Sequence, residues 1–172
     1  MKFKVVSDNN IFLQATVILA VDYDHIGTAR LQFQKRLVTN DVFKCILARC
    51  SVLNEIMVEV TKNSFDSFVD RLDSQIVDGK IHLLNLKLEV FYRKDEFVIA
   101  VTDNGKPITF SENGQPINRD RQKRKHFGYK HIGIYQSQRL LRTIDGKISW
   151  QALKDGTRTE VRIPATSSIF SR

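Results

Sequence analysis

Four short stretches of this chain carry polar and charged side chains at spacings that could act on a small ligand. Glu59 and Asn63 stand four residues apart, with Asp66 three further on, so on a helix they share one face. A carboxylate, an amide and a second carboxylate beside an apolar stripe are costly to bury without partners; facing water, they merely flank it. Val101-Thr102-Asp103-Asn104-Gly105 ends a hydrophobic run in an acid followed by glycine. A buried carboxylate there can accept a hydrogen bond from an exocyclic amine, and the glycine lets a flat ring approach the backbone. Taken alone, Asp-Asn-Gly is a turn. Lys130-His131-Ile132-Gly133-Ile134-Tyr135 sets a glycine at the start of a helical pattern, where free N–H groups and the positive dipole end face an anion. Asp155-Gly156-Thr157 precedes an amphipathic last strand.

The elements that must position these groups follow from periodicity and punctuation. Residues 2–6 read as a short strand ended by the turn-forming Ser7-Asp8-Asn9-Asn10. Residues 11–23 fit a strand by their β-branched content and a helix by their length. A helix is expected from about 25 to 37, with Asp24 placed to cap it. Thr39-Asn40-Asp41 offers cap side chains to a second helix. Along it Phe43, Ile46, Leu47, Cys50, Leu53, Met57 and Val60 form one apolar stripe. The stripe continues through Phe68 and Leu72, which predicts a single helix of more than eight turns. Residues 86–92 and 96–101 read as two strands joined by Arg93-Lys94-Asp95.

Residues 104–130 lack periodicity and hold Gly105, Pro107, Gly114, Pro116 and Gly128; an irregular stretch of that length is usually functional. Helical spacing returns from Gly133 to Thr143, with Gly146 placed to terminate it. The chain closes as a hairpin of residues 147–153 and 157–163 around Lys154-Asp155-Gly156. No internal repeat is found. The expected architecture is α+β, a two-layer sandwich of helices on one face of a mixed, mostly antiparallel sheet. Residues 1–172 are read as a single domain, with 1–38 an N-terminal strand-and-helix extension.

The order and spacing of the four stretches are more specific than any one of them. Glu59-xxx-Asn63, Asp103-x-Gly105, Gly133 opening a helix and then Gly156-Thr157 together resemble the ATP-binding domain of the GHKL superfamily. That superfamily includes gyrase, the large heat-shock chaperone, histidine kinases and MutL. Glu59 to Asp66 is similar to the N box of the chaperone and MutL branch, which also has an aspartate three residues after the asparagine. Ile132 to Ile148 resembles the last glycine box and helix of histidine kinases. The resemblance spans residues 40–164. It implies a histidine-kinase-like ATPase fold binding ATP and Mg²⁺, with Asn63 as metal ligand, Asp103 on the adenine amine and Gly105 against the ring. It further implies Gly133 and the adjoining Lys130, His131 and Ile134 around the phosphates, Thr157 near the adenine, and Asp66 beside the nucleotide. Glu59 would orient or deprotonate an attacking water, or organise the metal shell. Residues 106–130 would be the ATP lid.

Two positions depart from that pattern. Pro107 stands where the family has the second glycine of Asp-x-Gly-x-Gly, fixing φ and removing a donor. His131 stands at the first glycine of the usual Gly-x-Gly pair; protonated, its imidazole could contact phosphate. These departures motivate an alternative, a nucleotide-holding or degenerate module that docks a protein without turnover. His25, the single histidine before Asn63, is too close to it for a two-helix phosphoacceptor hairpin. The layout therefore resembles stand-alone members acting on a separate protein, by phosphoryl transfer in trans or ATP hydrolysis in signalling or regulation. A homodimer is left open.

Composition agrees with a soluble globular chain: 172 residues, 42% hydrophobic and 27% charged, with 3 Pro and 8 Gly. Two cysteines build no disulfide framework, and the apolar residues 11–21 are too short for a membrane span. The expected compartment is the cytoplasm, without membrane attachment. The net charge is +8, of which +5 lies in residues 119–130 alone. A solvated loop, an acidic or nucleic-acid partner and a cover over phosphates all fit such a run. The resemblance favours phosphates, because Lys and Arg stabilise charge on transferring phosphoryl oxygens; nucleic acid is the least favoured partner. Cys45 and Cys50 are expected as core thiols, Trp150 as a core residue and His25 as a helix-start residue. His82 and His126 lack a zinc-spaced partner.

Overall fold

A computed structural model describes residues 11–48, 50–73, 81–117 and 133–170. The chain runs β1 (Ile11–Val21), α1 (Ile26–Thr39), α2 (Asp41–Leu47), α3 (Ser51–Asp73), β2 (His82–Arg93), β3 (Glu96–Asp103), α4 (Gly133–Arg142), β4 (Lys147–Leu153) and β5 (Gly156–Pro164). The strands form one sheet in the order β1-β2-β3-β5-β4. Every pairing between them is antiparallel, so among the described residues the sheet is not mixed. The expected strand at residues 2–6 and the whole basic run of residues 119–130 lie outside the described residues.

Register divides the sheet into two chemically different faces. Leu19 pairs with Leu84, Val17 with Leu86 and Ala15 with Leu88. Leu88 in turn faces Val101, and Val101 faces Thr159. Since side chains alternate along a strand, these residues share one face. It packs with Phe33, Phe43, Ile56, Met57, Phe65 and Leu141 from the helices into one buried cluster. The same alternation settles residues 11–23: Val17, Leu19 and Val21 are buried while Thr16, Ile18 and Ala20 are exposed. A period of two makes this stretch a strand, and the Arg36 guanidinium donates to the Ile18 carbonyl.

The expected long helix is two helices. Asn40 caps α2 as its sequence predicts, its side chain accepting from the Phe43 N–H at 3.2 Å. α2 then ends at Leu47, and α3 begins with the Asn54 N–H bonded to the Cys50 carbonyl at 3.0 Å. Phe43, Ile46, Leu53, Met57 and Val60 are buried on both sides of the break. The apolar stripe thus specifies which face is covered and does not require one continuous axis.

Other local expectations are corrected by backbone geometry. Asp24 does not cap α1; instead Asp22 caps the short 3₁₀ turn Tyr23–His25 that leads into it, accepting from the Asp24 N–H at 3.1 Å and pairing with His25 Nδ1 at 2.9 Å. His25 does stand immediately before α1. At the end of α4, Asp145 takes the left-handed conformation with φ 57°, and the Gly146 N–H bonds back to the Leu141 carbonyl at 2.8 Å. That is a helix-ending motif one residue earlier than the glycine suggested. The β2–β3 connection has positive φ at both Lys94 and Asp95, a two-residue turn whose twist suits a hairpin. Cys45 is exposed and Cys50 only half-buried, so neither is a fully buried core thiol. No described helix is long and apolar enough to cross a membrane.

Candidate functional site

The helix-covered face is not covered everywhere. Where α3, α4 and the ends of β3, β4 and β5 meet, they leave a cleft of about 690 Å³, including the part that opens to solvent. α3 contributes Asn63, Ser64 and Ser67; α4 contributes Ile134 and Ser137; the sheet contributes Asp103, Thr157, Thr159, Ile148 and Trp150. The loop after β3 closes one side with Lys106, Ile108 and Ile117.

Asp103 sits at the C-terminal end of β3, 6% exposed, paired across the sheet with Leu86 and Thr157. Its carboxylate accepts from the Gly105 N–H at 2.9 Å and the Ser67 hydroxyl at 3.4 Å. Burial pushes its pKa up to about 6; hydrogen bonds from Gly105, Ser64, Thr157 and Ser67 pull the other way without overcoming it. All four of these partners are neutral, so desolvation wins. The floor around it is rigid. A Cβ on Gly105 would collide with Ser67 Oγ and stand 2.8 Å from the Phe68 nitrogen. The next residue, Lys106, donates its N–H to the Ser67 carbonyl at 2.9 Å. Opposite, Gly156 has φ 133° and a Cβ there would collide with the Asp103 carbonyl oxygen. Thr157 beside it accepts the Ile108 N–H at 3.0 Å, holding the loop to β5.

At the other end of the cleft α4 begins against α3. A Cβ on Gly133 would lie 2.7 Å from Glu59 Oε2 and 3.2 Å from Asn63 Nδ2. A Cβ there would make the Glu59 carboxylate shift, and the side chains of Glu59 and Asn63 rest on the first residue of α4. Lys62 Nζ lies 3.6 Å from Glu59 Oε1. No protein-family model matches this chain, and no curated protein matches it by sequence.

The residues singled out by sequence are partly assembled. Asn63, Asp103, Ile134 and Thr157 line the cleft, with Gly105, Gly133 and Glu59 packed at its edges. Asp66 is not part of the lining; its carboxylate lies 3.8 Å from Arg30 of α1. Lys130, His131 and residues 118–130 of the expected lid lie outside the described residues. The remaining part of that segment is a loop closed on itself by the Ile117 N–H to Thr109 carbonyl bond of 2.9 Å and a bridge between Phe110 and Pro116.

Sequence reasoning missed Ser64, Ser67, Ser137, Thr159 and Trp150. Trp150 is not a core residue: it is half-buried on the cleft wall. A signal for part of this set existed. Ser64 and Ser67 interrupt the apolar stripe just after Asn63, and Thr157, Thr159 and Val161 alternate on one face of β5. Chemically, the cleft offers one buried acceptor, a ring of hydroxyls, an indole face and a helix start whose first residue has no side chain. Among the described residues no cluster of His, Cys, Asp and Glu could hold a metal on its own. Asn63 is a neutral oxygen donor, which suits Mg²⁺ shared with phosphate oxygens.

Proposed function

We propose that this protein contains a Mg²⁺-ATP-binding domain of the GHKL type, acting on a protein partner by phosphoryl transfer or coupling ATP hydrolysis to regulation. One observation carries the reading. Groups scattered from residue 59 to residue 157 meet around one cleft, with Asp103 buried at one end and Glu59, Asn63 and Gly133 in contact at the other. The α+β architecture, with an antiparallel sheet covered on one face by helices, supports it as well.

In this reading Asp103 accepts the adenine amine, and Thr157 and Gly105 border the ring. Asn63 would hold Mg²⁺, which supplies charge neutralisation on the triphosphate when bound. The N–H groups opening α4 would take phosphate oxygens, because the first turn of a helix leaves them without an intrahelical acceptor. Glu59, at that same end, is placed to orient a water or the acceptor group.

Calorimetric titration with ATP, with and without Mg²⁺, tests the reading on wild type, Asp103→Asn and Asn63→Ala. The expected outcome is Mg²⁺-dependent binding in wild type, weakened at least about tenfold in Asp103→Asn, or about 1.4 kcal/mol. In Asn63→Ala the Mg²⁺ dependence should vanish. Unchanged ATP affinity in Asp103→Asn sinks the site assignment. No heat with any nucleotide favours instead the protein-docking module that Pro107 and His131 suggest.

A further inference from the structure

Trp150 stands on the edge strand of the helix-covered sheet face, where that face gives way to the cleft. Residues on that face in the central strands are shut off from solvent: Leu86 and Leu88 are 0% exposed and Val101 1%. Trp150 pairs with Thr159, which pairs with Val101, so the indole projects to the same side. On the edge strand β4 it is only half-buried, as is its same-face neighbour Ile148, and both line the cleft. Its neighbour Thr159 is nearly closed off, 6% exposed, as is Asp103. A large flat apolar surface, half-open inside a concave site with a buried acceptor, is suited to a planar ring carrying an amine on its edge.

We propose that Trp150 is the aromatic wall of the ligand site, packing against a nucleobase whose exocyclic amine is directed to Asp103. The inference rests on the nucleotide reading and deepens it. The base, and not the phosphate chain alone, is recognised, and the hydroxyls of Ser137 and Thr159 sit beside that ring. Inorganic polyphosphates lack the ring and gain nothing from this wall.

The chain has a single tryptophan, so its intrinsic fluorescence reports on this position alone. Full-length protein is titrated with Mg²⁺-ATP, adenosine and inorganic tripolyphosphate, following tryptophan emission and heat in parallel. Emission should change with ATP and adenosine and stay constant with tripolyphosphate. Trp150→Leu, which keeps bulk and removes the ring, should weaken ATP and adenosine by roughly 5- to 150-fold, the range of base–aromatic stacking. Trp150→Phe should stay within about threefold of wild type, given that a smaller ring still stacks. Melting curves of both variants check that they fold, and the emission arm on wild type stands even if Trp150→Leu does not.

Calorimetric ATP binding with constant emission and wild-type affinity in Trp150→Leu overturns this proposal while leaving the nucleotide site in place. Absence of heat and emission change with every ligand overturns both.

Discussion

Two buried acids on opposite faces of one sheet have the same exposure and opposite electrostatics. Asp103 and Glu89 are each 6% exposed. Glu89, on the face away from the helices, lies 2.8 Å from Lys87 and 2.9 Å from Arg158. Burial raises its pKa, but the hydrogen bonds and charges of Lys87 and Arg158 outweigh burial and hold it below the usual carboxylate range. Arg158 also reaches Glu160 at 3.1 Å, and Arg93 meets Glu160 at 2.9 Å and covers the Phe91 ring at 5.6 Å. These long side chains lie on the face that carries Phe91, Val98 and Ala100, a small buried cluster separate from the main core. On the cleft side Asp103 has only neutral partners and its pKa goes up. The contrast teaches that burial alone does not decide charge; the partners do. Glu89 is used up in holding the fold, whereas Asp103 is kept at a cost to the fold, as is common for groups that serve a ligand.

Removing the shared cation tests the structural half of this contrast most severely. Arg158→Met strips Glu89 and Glu160 of a common partner and should cost about 2–3 kcal/mol in urea unfolding, short of the full buried-pair penalty because Arg158 is partly exposed. ATP titration should be unaffected, as Arg158 faces away from the cleft. A loss of nucleotide affinity without a loss of stability would reverse the roles assigned to the two faces.

Asp103→Asn should act in the opposite direction on stability. Because its folded pKa of about 6 lies above the ordinary aspartate value of 3.8, its contribution is fully present below pH 4 and is lost as pH rises through 6. At pH 7 the neutral variant should therefore be more stable than wild type by about 1–3 kcal/mol, the upper end being the shift converted at 1.36 kcal/mol per unit. The difference between the two should shrink towards zero near pH 4, measured by urea midpoints across that range. Equal stability at pH 7 would mean that ionised Asp103 is not costly.

The smallest effect belongs to Glu160→Gln, which keeps the size and one of the two acceptor oxygens that receive Arg93 and Arg158 while removing a charge. It should cost about 0.5–1 kcal/mol at pH 7. Glu160 has a lowered pKa, so its contribution is present above the ordinary carboxylate range and lost on acidification. The penalty of the substitution should accordingly fade at low pH, the reverse of the trend at Asp103.

Much of this was legible before any fold was known, because the relevant signals are local. The apolar runs within 86–92 and 96–101, the cap at Asn40 and the glycine opening α4 each follow from a few neighbouring residues. The break between α2 and α3 was not legible, since residues 48–50 contain neither proline nor glycine and the apolar stripe runs through them. The cleft was legible in its polar groups only where spacing set them apart, as with Asn63 and Asp103. Trp150 looked like any strand aromatic, and what distinguishes it is its place on the edge strand lining the cleft, a tertiary fact. Asp66 shared a helix face with Glu59 and Asn63, yet Arg30 of α1 drew its carboxylate elsewhere; no local pattern announces such a partner.

The strand order has a bearing on how the site comes apart. Asp103 ends the central strand β3, flanked by β2 and β5, while Trp150 lies on β4 at the margin of the sheet. Peripheral strands open in smaller, more frequent excursions than central ones. Amide hydrogens of β4 should thus exchange with solvent deuterium well before those of β3, and the two walls of the cleft separate in sequence and not at once. An incoming ligand would meet a fixed acceptor and a wall that breathes.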